Sequence, residues 1–359
     1  MVDITSTAWL PKLSKKYSQD VKIVGLLLAI ILAWFGLALI MSAVIPDPSK
    51  TSLSALPTYL DFASRNGKYV LLLAALISPL IIASRCGEAS VITYIRKNLN
   101  HTHKILIKVG SLSIIGIVSF GAFMFAYSTI KTRIPEMVPF IWDEAFMKLD
   151  RLIFFGNDPW VLFSGLYDNP AIIIFMDTVY DLWATLLVGT WALCFVCYGY
   201  AAKVRFQFPL AILITWFIGG NLLAILFASA GPCYYGAVTG LSDPYAAQMA
   251  LLAGLEISEP LRVVRYQSLL WDVYENPGLG FGGISAMPSM HCATTALLVL
   301  FAWNRPVLKW VTRALFVLIF ISSFVLGWHY AVDGLLAIPV AVGGWWLAGK
   351  ILSRFTATT

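Results

Sequence analysis

Lys22-Ile-Val-Gly-Leu-Leu-Leu-Ala-Ile-Ile-Leu-Ala-Trp-Phe-Gly-Leu-Ala-Leu-Ile-Met-Ser-Ala-Val-Ile45 carries a single charge, at its first position. A helix rises about 1.5 Å per residue, so this run is long enough to cross a hydrocarbon layer about 30 Å thick. Similar runs fall at about 69 to 84, 105 to 129, 171 to 199, 208 to 229, 288 to 304, 310 to 328 and 332 to 352. Together they predict an all-α fold, a polytopic transmembrane bundle of about eight helices. Composition points the same way: the 359 residues are 59% hydrophobic and only 12% charged, with a mean hydropathy of +0.79. That excludes a soluble domain built around its own core. The first run is too long for a signal peptide and lacks a small-residue cleavage site after it, so it reads as a retained anchor.

The net charge of +6 has to be read by position, and as such it is no nucleic-acid footprint. With the N-terminus on the cytoplasmic side, sixteen of the Lys and Arg residues fall in inner segments and nine in outer ones. The acidic residues go the other way, with only Asp3, Asp20 and Glu88 inside. The positive-inside rule then places both termini in the cytoplasm. The five cysteines are scattered; Cys194 and Cys197 lie in an apolar helix without zinc-ligand partners, where packing is their expected role.

Two stretches near the C-terminus interrupt this apolar pattern. Gly283-Ile-Ser-Ala-Met-Pro-Ser-Met-His-Cys292 and Gly327-Trp-His-Tyr-Ala-Val-Asp-Gly334 hold two of the four histidines. The topology puts both on the extracytoplasmic side. His291 is fourteen residues from Arg305, about 21 Å of helix, and His329 is sixteen from Arg313, about 24 Å. Both imidazoles are therefore expected just below the outer boundary of the hydrocarbon, where a lipid phosphate reaches and a soluble substrate does not. His329 and Asp333 are one helical turn apart, so the carboxylate can hold the imidazole in one tautomer and stabilise its cation. Pro288-Ser289 is a helix-start signal, and a helix start offers N–H groups to an anion. Ionisable groups at this depth are a functional hypothesis by default. Ser285, Ser289 and Tyr330 are the polar neighbours expected at the substrate.

Three further segments bear on the site. Residues 142 to 156 form an amphipathic stretch too polar to span, expected along the outer surface as a brace or as part of lipid entry. Asp177, Tyr180 and Asp181 lie near the outer end of the fourth helix, where they can hold a head group or a loop arginine, or simply sit at the interface. Residues 230 to 282 form the longest outer connection. It opens with Gly231-Pro-Cys-Tyr-Tyr-Gly236, carries Arg262 and Arg265, and is expected to act as a lid.

Ala286-Met-Pro-Ser-Met-His291 resembles the Pro-Ser-x-His motif of the type 2 phosphatidic acid phosphatase superfamily, and His329-Tyr-Ala-Val-Asp333 resembles its His-x-x-x-Asp motif. The flavour of both stretches is similar to the branch that includes inositol phosphorylceramide synthases. The resemblance covers about residues 140 to 350, leaving residues 1–135 as accessory N-terminal helices and 136–359 as the catalytic unit. It implies that His329 attacks phosphorus to form a phosphohistidine, that Asp333 orients it, and that His291 protonates the leaving oxygen. It implies no metal and no cofactor. Two departures stand out: there is no Lys-x6-Arg-Pro, Lys131-Thr-Arg-Ile-Pro135 having the wrong spacing, and Ser323 stands six residues before His329 where the phosphatases carry an Arg. A monoester phosphate, with nearly two charges, wants such clamps; a diester brings one charge. The expectation is thus an enzyme that moves a phosphoryl head group from a membrane phospholipid or sphingolipid to an alcohol or water, with Arg262 and Arg265 as substitute clamps. A lipid phosphate monoester phosphatase is the alternative, and a transporter relaying protons through His and Asp the third reading.

Overall fold

The structure, a computed structural model, describes residues 10–45, 56–68, 99–196, 202–258, 260–276 and 282–356. All regular elements among the described residues are helical. They are α1 (Leu10–Val44), α2 (residues 56–68), α3 (Leu99–Lys131), α4 (Asp143–Ile153), α5 (Pro170–Val196) and α6 (Ala202–Phe217, continued to Leu226). After these come α7 (Ala246–Ser258), α8 (Arg262–Glu275), α9 (Met290–Ala302), α10 (Leu308–Val325) and α11 (Ala331–Thr356). Six are long and apolar enough to cross a membrane: α1, α3, α5, α6, α10 and α11. With α9 they account for seven of the eight predicted runs; the run at 69 to 84 lies outside the described residues. The chain is an all-α integral membrane protein.

These spans are apolar around most of their circumference, because lipid and protein both accept apolar side chains. What distinguishes the inner faces is aromatic packing. Phe123 stacks on Trp191 at 5.8 Å between ring centroids and meets Trp216 edge-on at 5.3 Å, while Trp34, Phe120 and Tyr127 fill the gaps. α1, α3, α5 and α6 are joined through this cluster. At the N-terminal ends of α1 and α6, Asp20 and Arg205 form a buried ion pair at 2.6 Å. At the other end of α1, the Ile45 carbonyl accepts from Arg133 Nε at 3.4 Å, just past the end of α3. α11 packs on α6 and α9, and α9 on α10.

Of residues 230 to 282, where a lid is expected, the described ones include α7 and α8; Ala246-Ala-Gln-Met-Ala-Leu-Leu-Ala253 is rich in strong helix formers yet too short to span. α4 is amphipathic, with Glu144 and Lys148 paired at 2.6 Å on its exposed side, but not all of its charges lie there. Asp143 and Asp150 point inward and are 1% exposed, whereas Leu152 in the last turn is 78% exposed and Phe155, just beyond the helix, 94%. These two aspartates face inward because backbone N–H groups from distant segments wait there.

Candidate active site

Past the end of α10 the chain turns through Gly327, whose φ is +75°, and the His329 N–H donates to the Ser323 carbonyl at 3.0 Å. Ser323, in the position where the family carries an Arg, is fully buried and gives its hydroxyl to the Phe320 carbonyl. Two residues after His329, α11 begins. His329 Nδ1 lies 3.1 Å from Asp333 Oδ2, and the same oxygen accepts the Tyr330 N–H at 3.1 Å. Asp333 is completely buried and His329 nearly so. The carboxylate thus orients the ring through Nδ1 and leaves Nε2 turned away from it.

His291 is the second residue of α9. Ser289 caps that helix, its Oγ accepting the Cys292 N–H at 3.4 Å. The His291 ring centroid is 6.1 Å from that of His329. Tyr180 and Trp183 of α5 each place a ring centroid 4.2 Å from the imidazole of His291, and Trp183 continues into a stack on Trp216. The aromatic core therefore runs up to the site. The Tyr180 hydroxyl and the Trp183 Nε1 are buried with no hydrogen-bond partner among the described residues, and so is Asp333 Oδ1. Buried polar groups of this kind, two donors and one acceptor, ordinarily find a partner.

Lys131, the last residue of α3, is a cation whose electrostatic reach extends to both imidazoles. The position is fixed by a close backbone approach: a Cβ on Gly283 would stand 2.8 Å from the carbonyl carbon and oxygen of Lys131, so only glycine fits. Gly231 performs a similar service across the site. Its φ is +101°, and a Cβ there would meet the Trp328 carbonyl oxygen at 2.7 Å.

Three aspartates cap backbone turns. Asp143 accepts the N–H groups of Ala230 and Gly231, at 2.8 to 3.0 Å, and the Tyr330 hydroxyl at 2.8 Å. Asp150 accepts those of Ala331 and Val332 at 2.7 and 2.8 Å. Asp177 accepts those of Arg262 and Val263, both at 2.9 Å. Burial raises the Asp143 carboxyl and pushes that of Asp150 up to about 7, against the pull of the N–H groups. Because Asp150 and Asp333 occupy the first N–H groups of α11, that helix start has none for an anion. The start of α9 does: among the described residues the N–H groups of Met290 and His291 have no partner.

The remaining expected site residues are placed as follows. Ser285 is half-buried in the loop leading to Ser289. Tyr330 is buried with its hydroxyl on Asp143, turned to structure rather than to substrate. Arg262 lies 3.7 Å from Asp181, and Arg265 bonds Glu256 at 3.0 Å; both side chains are more than half exposed. Lys131, Trp183, Asp143 and Asp150 were not among the expected site residues. Lys131 had a signal, a cation ending an apolar helix, but a motif spacing hid it.

A model of the PAP2 superfamily matches residues 144–347, which is more than half of the 359 residues. Neither the curated proteins nor the solved structures give a match. With His291, His329 and Asp333 all inside the matched span, this integral membrane protein belongs to the PAP2 superfamily, and with it to enzymes of the phosphatase and phosphotransferase type.

Proposed function

We propose that the protein cleaves a phosphodiester in a membrane phospholipid or sphingolipid and passes the phosphoryl head group to an alcohol or to water. The reading is carried by the pairing of His329 with Asp333 at 3.1 Å while a second imidazole stands 6.1 Å away, ring centre to ring centre. One phosphate between them, with contacts of about 3 Å on each side, fits that spacing. His329 Nε2 attacks phosphorus, the bond to the leaving oxygen breaks, and His291 delivers the proton that oxygen needs. His291 then takes a proton from the acceptor hydroxyl, whose oxygen displaces His329 from phosphorus.

Charge favours a diester. Lys131 is a cation whose charge reaches both imidazoles, and Arg262 and Arg265 have acidic partners. One ammonium, two N–H groups at the start of α9 and the Tyr180 hydroxyl suit a phosphate carrying one negative charge better than one carrying two. This supports the branch that includes inositol phosphorylceramide synthases over the monoester phosphatases. We place the site at the extracytoplasmic face with both termini in the cytoplasm. α3 and α10 end at the site while α9 and α11 begin there, as the distribution of basic residues requires.

The test is to incubate purified protein with head-group-labelled phosphatidylinositol, phosphatidylethanolamine and phosphatidic acid, each alone and with added ceramide, diacylglycerol or glycerol. A new labelled lipid or a released phospho-head group supports the reading. Release of free phosphate from phosphatidic acid alone makes the protein a monoester phosphatase.

A further inference from the structure

We infer that Asp143 and Asp150 are positioning residues: two carboxylates on α4 that clamp the Tyr330–Val332 turn and thereby hold His329 and Asp333 in register for attack. The inference rests on the proposed roles of those two residues and adds the device that sets their geometry.

Asp143 and Asp150 are seven residues apart, two helical turns, and so share one face of α4. Each is 1% exposed. Among the described residues neither is paired with a cation; all their partners are N–H or O–H groups. Burying a carboxylate without a counter-charge is costly, and a neutral Ser or Asn serves an ordinary helix cap as well. Asp150 moreover lies near enough to Asp333 for their charges to oppose each other. Carboxylates kept in such a place need a reason beyond capping.

Geometry supplies it. The two oxygens of Asp150 take the N–H groups of Ala331 and Val332, one each. Rotation of either peptide breaks a bond that only a two-oxygen acceptor makes. Asp333 Oδ2 takes the Tyr330 N–H, and the Asp333 N–H returns to the Tyr330 carbonyl at 3.1 Å. Every backbone N–H from Tyr330 to Asp333 is therefore spoken for. The Tyr330 side chain is fixed as well, through its hydroxyl on Asp143 Oδ1. His329 hangs from the N-terminal end of this turn and Asp333 from its C-terminal end. Their 3.1 Å contact inherits whatever precision α4 imposes.

The test uses the full chain in detergent or nanodiscs and two isosteric variants, Asp150→Asn and Tyr330→Phe, which loosen opposite ends of the clamp. The first readout is independent of turnover: ¹⁵N-histidine NMR of a chain with four histidines, the His329 signal assigned with His329→Gln. Wild type should show one fixed tautomer bonded through Nδ1, and each variant a mixture. The second readout is kinetic, on whichever lipid of the panel above is turned over. There kcat should fall at least tenfold while KM stays within twofold, with the unfolding temperature retained. A single His329 tautomer and unchanged kcat in both folded variants overturn the inference; should Asp150→Asn fail to fold, Tyr330→Phe alone decides. If no lipid is turned over, the proposed reaction fails while the NMR result still judges the clamp.

Discussion

The backbone N–H of Ser289 donates to the carbonyl of Asp333 at 3.1 Å. Asp333 thus serves both histidines: its side chain orients His329, and its main chain holds the residue that caps the helix carrying His291. Replacing it with asparagine keeps the main-chain link and spoils the side-chain one. Asp333→Asn should lower turnover by about 1,000- to 10,000-fold, the loss expected when the carboxylate orienting a histidine becomes an amide. His329→Ala and His291→Ala should abolish it. Rates on a labelled diester lipid check this, and near-normal turnover by His329→Ala would refute the covalent scheme.

Lys131 is the next residue to test. If it balances the charge of the phosphate in flight, Lys131→Gln should lower kcat by about 100-fold or more, the usual result of deleting one preorganised electrostatic contact. Lys131→Arg should retain more activity than Lys131→Gln. Equal rates for wild type and Lys131→Gln would remove it from the chemistry.

The Asp150 carboxyl, held at about 7 against an ordinary value of 3.8, makes a prediction about pH. Between about pH 4 and 7 the folded protein keeps a proton that the unfolded chain releases, so stability contributed here falls as the pH rises and levels off above about 7. Asp150→Asn removes that group. Thermal unfolding measured from pH 4 to 8 should show a flatter dependence in the variant; an identical slope would mean that Asp150 titrates in its ordinary range.

Gly231→Ala and Gly240→Ala compare two turns of different backbone conformation, Gly240 in the left-handed helical region and Gly231 extended in ψ. Both glycines have positive φ, but only at Gly231 would the new methyl group run into something, the Trp328 carbonyl oxygen, while the space around Gly240 is open. A left-handed conformation costs a non-glycine residue about 1–2 kcal/mol. Gly240→Ala should lose about that much, and Gly231→Ala visibly more, in unfolding midpoints. Equal losses would say that the turn yields at Trp328.

Sidedness is checked with Glu275→Cys, an exposed position at the end of α8. The thiol should react with an impermeant reagent added outside intact cells. Labelling only after permeabilisation would put the site on the cytoplasmic side.

Much of this architecture could be read from the chain. Uninterrupted apolar runs are an unambiguous signal, because only a helix satisfies its own backbone inside a bilayer. The described spans Pro170–Val196 and Leu308–Val325 fall within a few residues of the runs at 171 to 199 and 310 to 328. The pairing of His329 with Asp333 is local, one turn of helix, and equally legible. What escaped were contacts made across long stretches of chain. Asp150 reaches N–H groups 181 and 182 residues away, so no local pattern distinguishes it from a solvated charge on an amphipathic helix. α7 and α8 escaped for another reason: length separates a span from a loop, and a short helix packed at the interface falls between the two.

Gly283 leaves no side chain between the loop that leads to His291 and the end of α3. The two segments meet there main chain to main chain. A protein trimmed to the stretch that bears the family's two histidine motifs would lose one side of that seam together with its ammonium group. It would retain every residue of the catalytic signature, with lipid or water where a wall now stands.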